Sequence, residues 1–263
     1  MDNNLFPFQI PIDRSFANAG SMDVSVAILI QYIGSEASAL AALVASTSLT
    51  LSHGDLSSEA VDSTFGTAGV IDLSSAAFNT CGEVVDAINK SANWRAKLIG
   101  ALYDDASANL LALSSTQCKV AAGIPIYFDG SDGIFSVAIT GHDFKNLGSA
   151  PGYDDGSYDD KGCINTLAYI TCYGTETGGA TLKVLEADDT DTTSTVVTKY
   201  SGTFADTTAY TIGDSASGVG SAAYRSAENK RLIVRITCAT SLDSLTYFNL
   251  RGATFDFRRG RVS

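Results

Sequence analysis

From residue 163 onward the chain is a succession of short runs rich in β-branched and aromatic residues, broken by clusters of Gly, Asp, Ser and Thr. The runs are Ile164–Tyr173, Ala180–Glu186, Thr195–Tyr200, Thr208–Ile212, Arg231–Thr237 and Thr246–Phe257. The breaks include Gly178-Gly179, Asp188–Asp191 and Gly213–Gly220. Such side chains fit a pleated, half-buried surface, and several strands at this spacing predict an antiparallel β-sandwich or jelly roll over residues 163–257. Leu232, Val234 and Ile236 alternate with Arg231, Ile233 and Arg235, the pattern of a sheet with one wetter face.

The first half mixes signals. Val24–Ile33 and Leu49–His53 read as strands, and Ser35–Val44 between them is a small-residue segment suited to a helix. Val70–Leu73 is a short strand. Thr80-Cys-Gly-Glu83 has the spacing of a capping box, and Val84, Val85 and Ile88 follow as an apolar stripe at helical period, which predicts a helix ending near Ser91. Trp94, Ala96, Leu98 and Leu102 alternate with Arg95 and Lys97, Asp104–Asn109 is a turn, and Leu110–Leu113 returns as the second strand of a hairpin. The fold class expected is mainly β with a minor α+β part. An extended N-terminal arm occupies 1–20, an α+β module 21–148, a linker 149–162, the β-sandwich 163–257, and a basic tail 258–263. The linker follows from its Gly, Asp and Ser content, Pro151, and the acidic pairs Asp154–Asp155 and Asp159–Asp160.

Charge narrows the function classes. The formal net charge is −12, the wrong sign for a wholesale nucleic-acid binder, whose contacts neutralise phosphate. It is unevenly placed: net −9 over residues 1–150, −8 over 151–214 and +5 over 215–263. An acidic body ending in a basic segment predicts a directional electrostatic contact. Val24–Ile33 is too short to span a bilayer, so no membrane partner is expected. Cys81, Cys118, Cys163, Cys172 and Cys238 are far apart with no CxxC pair, as scattered reduced thiols made in a cytoplasm would be.

Candidate chemistry is sparse. His53 and His142 each lie near an aspartate in sequence, yet Gly-x-Ser-x-Gly is absent and neighbours along a strand point apart, so both read as surface or turn histidines. Glu186–Asp191 lacks the EF-hand pattern and reads as a solvated turn. Gly213–Gly220 lacks the Lys-Ser/Thr ending of a phosphate loop. No catalytic, cofactor or metal site is predicted, and no enzyme. The suggestive residues are those of an interface. Leu5, Phe6, Phe8, Ile10 and Ile12 make the arm too apolar for an idle tail, and Pro7 and Pro11 favour an extended chain. The arm packs on its own body or in a partner's groove. Arg251, Arg258, Arg259 and Arg261 suit carboxylate recognition on an acidic neighbour.

Two resemblances add to this. Gly69–Ser74, Gly82–Asn89, Trp94–Leu98 and Asn109–Ser114 together resemble the small strand–helix–hairpin motif of flagellin and hook-associated proteins, and similar modules recur in virion proteins of tailed bacteriophages. Leu167–Thr171, Gly179–Asp189 and Lys230–Thr237 look like the β-sandwiches of phage structural proteins, head-associated and decoration components among them. The resemblance implies a virion protein on the capsid surface, made in the host cytoplasm: a capsid decoration or cement protein. Its partners would be the major capsid protein or other virion proteins and further copies of itself. The alternatives are a tail, baseplate or fibre-adaptor subunit, and a receptor- or glycan-binding module with Tyr153, Tyr158, Tyr173 and Trp94 stacked on sugars.

Overall fold

The computed structural model describes residues 8–17, 25–66, 68–120, 123–129, 133–139, 163–177, 180–187, 196–204, 210–212, 224–227, 230–238 and 241–256. In chain order the elements are β1 (Phe8–Ala17), β2 (Val26–Tyr32), β3 (Ser38–Val44), β4 (Ser48–Asp55), β5 (Ser58–Val61), β6 (Val70–Asp72), α1 (Cys81–Asn89), β7 (Trp94–Leu98), β8 (Leu113–Gln117), β9 (Ile124–Tyr127) and β10 (Ile134–Ile139). They continue with β11 (Cys163–Thr177), β12 (Ala180–Ala187), β13 (Val197–Phe204), β14 (Tyr210–Ile212), β15 (Tyr224–Arg225), β16 (Arg231–Cys238) and β17 (Ser241–Asp256). The molecule is mainly β, as the residue pattern predicts, and its sheets are antiparallel.

Among the described residues the strands form four sheets, in the orders β5-β4-β3-β8 with β6 on β4, β7-β2-β9, β10-β16-β12-β13, and β1-β17-β11-β14 with β15 on β11. Three buried clusters show how the sheets stack. Leu49, Leu51, Ile71, Val84, Ile88, Trp94, Ile28 and Ile30 fill the core between the first two sheets. Val137, Leu182, Val184, Leu232, Val234 and Ile236 meet Leu167, Ile170 and Leu250 in the core between the last two. Leu29, Ile99, Ala138, Leu185, Ala187 and Ile233 lie between the middle pair. Both faces of β2 and of β16 are therefore covered.

The helix is where the spacing places it. Thr80 Oγ1 accepts the Glu83 amide at 3.2 Å while the Thr80 amide donates to Glu83 Oε2 at 3.1 Å, closing the capping box. Val84, Val85 and Ile88 form its buried stripe. Asn89 fastens its far end by a paired bond to Ala96 on β7, with the Asn89 side-chain amide donating at 3.0 Å and the Ala96 amide donating back at 2.8 Å. Among the described residues it is the one α-helix in a first half that is otherwise mostly β, beside a single 3-10 turn at Ser107–Asn109.

Four expectations change. Ser35–Val44 is no helix: from Ser38 it is a strand held on both sides, by β4 and by β8. Ala39, Ala41 and Leu43 are buried on one face, so two ladders and a dry face outweigh the helix preference of Ala and Leu. Trp94–Leu98 and the strand after Asn109 do not pair as a hairpin. β7 joins β2 and β8 joins β3, because each completes a different wall of the same core. The wetter face of Arg231–Thr237 is dry as far as Arg235: Arg231 is 1% exposed and Arg235 6%, since that face of β16 is turned toward the first half, and only Thr237 at its end is exposed. The sheets also do not part at the expected border. β10, from inside the 21–148 segment, pairs with β16, and β1, from the N-terminal arm, pairs with β17 over Phe8↔Asp256 to Ala17↔Tyr247. The linker 149–162 and the tail 258–263 lie outside the described residues.

Candidate functional site

Two polar clusters stand out because each bridges elements distant in sequence. The first closes one end of the first core. Alternation along β4 puts His53 on the face of Leu49 and Leu51, at the strand's end where the core runs out. Its imidazole stacks on Tyr32 of β2 with ring centroids 5.4 Å apart, and Tyr32 meets Trp94 of β7 edge-on at 5.0 Å. Asp62, just beyond β5, sits beneath. Its Oδ2 accepts the Trp94 indole N–H at 3.1 Å and lies 3.4 Å from His53 Nε2. Its Oδ1 accepts the amide and hydroxyl of Thr64. Burial works against the Asp62 carboxylate, yet the Thr64 bonds, the nearby imidazole and the indole hold its carboxyl below the usual range. Burial pushes the Tyr32 phenol up. The partner of His53 is thus Asp62, nine positions away and across a hairpin, and neither of its sequence neighbours Asp55 and Ser52. Among the described residues no serine hydroxyl or cysteine thiol bonds to His53, so the arrangement is a carboxylate–imidazole pair without a nucleophile.

The second cluster joins the two halves. Arg231 Nε donates to the Ile99 carbonyl at 2.8 Å and its Nη2 to Ala101 at 3.2 Å. Arg235 grips Asp105 with both terminal nitrogens, at 2.8 and 2.6 Å, and Nη2 also donates to the Gly100 carbonyl at 2.6 Å. Ser136 of β10 adds its hydroxyl to Gly100 at 2.6 Å. A strip of backbone, Ile99–Ala101, is therefore read by two arginines and a serine. Gly100 is needed there because a Cβ would collide with the Val26 carbonyl and press on the Ser136 hydroxyl. Phe128 lies under the Arg235 guanidinium, 5.7 Å from its centroid. Behind the strip Cys81 is buried, and that burial, with Asp105 nearby, pushes its thiol far up despite Arg235.

A smaller clamp lies in the second half. Glu186, 6% exposed, accepts the Ala227 amide and pairs with Lys199 at 3.1 Å. Nearby, Asn165 and Ser226 bond reciprocally, the Asn165 amide donating to Ser226 Oγ and the Ser226 amide to the Asn165 carbonyl.

The residues singled out from sequence fare unevenly. Phe8, Ile10 and Ile12 lie on β1, and Arg251 on β17 is exposed and opposite Asp13 in the ladder. Leu5, Phe6, Arg258, Arg259, Arg261, His142, Tyr153, Tyr158, Asp154, Asp155, Asp159, Asp160 and the Gly213–Gly220 loop lie outside the described residues. Trp94 cannot stack on a sugar: it is 1% exposed, packed on Tyr32 with its N–H bonded to Asp62. Glu186 is no solvated turn acid but a buried partner of Lys199. Cys81 and Cys118 are free, and Cys81, Cys118 and Cys238 are all buried. The residues that sequence reasoning missed are Arg231, Arg235 and Asp105. Their one signal was two arginines set among Leu, Ile and Val, where a solvated face would carry more polar neighbours. No family model, curated protein or solved structure matches this chain.

Proposed function

We propose that the chain is a structural component of a tailed-phage particle, in the first place a decoration or cement protein on the capsid surface that binds the shell and neighbouring copies. The observation that carries this reading is the use made of its buried ionic groups. Arg231, Arg235 and Asp105 fasten one half to the other, and Asp62 and Glu186 close the ends of the two cores. Chemistry that an enzyme would turn toward a cleft is engaged here in internal joints, which suits a stiff part repeated many times. The likeness of Leu167–Thr171, Gly179–Asp189 and Lys230–Thr237 to the β-sandwiches of phage structural proteins supports the same reading. The contacts proposed are the apolar arm around β1, with Leu5 and Phe6 ahead of it, and the arginines at 251, 258, 259 and 261. Apolar burial would supply the attraction and guanidinium–carboxylate pairs the register.

Particles purified on a density gradient from an infected host lysate test it. The chain is expected to co-band with capsids at a fixed copy number, and its recovery only in the free-protein fractions overturns the proposal. A variant lacking residues 1–7 retains all of β1, so it is expected to fold and to bind particles at least tenfold more weakly, each large apolar side chain being worth about 1.5–3 kcal/mol when buried.

A further inference from the structure

We propose that β1 is an exchangeable strand: two copies of the chain in contact through this sheet edge trade it, each laying its own Phe8–Ala17 along the other's β17. This rests on the reading above that copies bind one another, and it names the element by which they do so. β1 is the terminal strand of its sheet and, among the described residues, pairs with β17 alone. Its seat is held in place by other strands. β11 supports β17 from behind, from Cys163↔Asp256 to Thr177↔Ser241. The β1 ladder runs from Phe8↔Asp256 to Ala17↔Tyr247 without a register shift, whereas the ladder behind it shifts three times. An uninterrupted ladder can be rebuilt in the same register by the identical strand of another copy, with every backbone bond conserved.

Pro11 decides between the two ways in which this edge could join copies. It lies inside the ladder opposite Ala253. A residue without an N–H fits an antiparallel ladder where its nitrogen faces away from the partner strand. The outer edge of β1 therefore lacks a donor near its middle, and a further strand laid outside it would meet that gap. Growth by strand addition is opposed, while exchange of β1 itself is open. Exchange keeps the same ladder and is a low-cost route to a dimer. Once one arm has crossed, the return crossing occurs within the complex and is favoured by proximity. β2, the next strand, belongs to another sheet. Eight Cα steps separate Ala17 from Ser25, about 28 Å at full extension. The recipient is thus a copy in direct contact, and the product is a closed, reciprocal dimer.

The parity set by Pro11 makes Asp13 and Arg251 a non-hydrogen-bonded pair, with Cα atoms about 4.5 Å apart, within the span of a disulfide. Asp13→Cys and Arg251→Cys are introduced into separate full-length chains, one of them isotope-labelled. The two are unfolded in urea, mixed, refolded at high protein concentration and oxidised. A disulfide-linked dimer containing one chain of each kind is expected from the mixture. Either variant refolded alone should yield none, which also controls for linkage through the native cysteines. The chain carrying both substitutions should run at twice its mass on a non-reducing gel. A mixture without the heterodimer, equal dimer in either variant alone, or a double variant that closes only within single chains overturns the proposal. If the cysteine variants fail to fold, isotope-filtered NMR of mixed labelled and unlabelled wild type decides. Contact between the Asp13 and Arg251 α-protons of different chains supports exchange, and contact confined to one chain refutes it. Banding with capsids is scored separately, so a chain that bands with particles yet cross-links only within itself refutes exchange alone.

Discussion

Arg235 holds a full charge where the surroundings are mostly apolar. Its side chain is 7% exposed and that of Asp105 12%, and its Nε has no hydrogen-bond partner among the described residues. Taking such a pair out of water is costly, so its net worth is small even though breaking it is severe. Asp105→Asn should leave the guanidinium buried without a counter-charge and destabilise the protein by about 3–5 kcal/mol in urea unfolding. Adding Arg235→Met to that variant should recover roughly half of the loss, because the apolar chain fills the space over Phe128 without a charge to desolvate. A double variant no more stable than Asp105→Asn would show that the pair stabilises the seam outright. The same asymmetry explains why these residues were hidden in the sequence. An arginine such as Arg235, between Val234 and Ile236, reads as solvated until an opposing carboxylate and carbonyls are known.

At the level of elements, legibility depended on how local the cause was. The helix Cys81–Asn89 was readable because a capping box and an apolar stripe both lie within a dozen residues. Thr80→Ala should therefore lower stability by about 1 kcal/mol, with Thr80→Ser close to neutral, in denaturant titrations. Its neighbours were not so readable. Ser38–Val44 carries helix-forming Ala and Leu but becomes a strand because β4 and β8 flank it, and nothing inside the segment announces those partners. Trp94–Leu98 was legible as a strand with the right buried face (Trp94, Ala96, Leu98), whereas the strand expected at Leu110–Leu113 lies further on, at Leu113–Gln117. Pairing them together was the error, since closeness in sequence favours a hairpin only when no other wall needs the strand.

For the whole molecule the decisive feature is that sheet membership ignores chain order. β1 and β10 come from the first half yet complete the sheets of the second, and Arg231 and Arg235 reach back from β16 to Ile99–Asp105. A fragment spanning 163–263 lacks both strands and the strip that covers β16. It should be unfolded or aggregated by circular dichroism and NMR, while the full chain should unfold in one calorimetric transition. Two separated transitions, or a well-folded fragment, would show that the halves are independent domains.

By itself the sequence determined that this chain would be built of antiparallel strands, where one helix begins, and which faces of several strands are dry, because alternation and capping act through residues a few positions apart. The tertiary structure alone decided what covers each dry face, that the guanidinium groups of β16 are interior, and that His53 answers to Asp62. Those outcomes depend on which sheets stack and in what register, and such long-range pairing leaves no periodic trace in either partner.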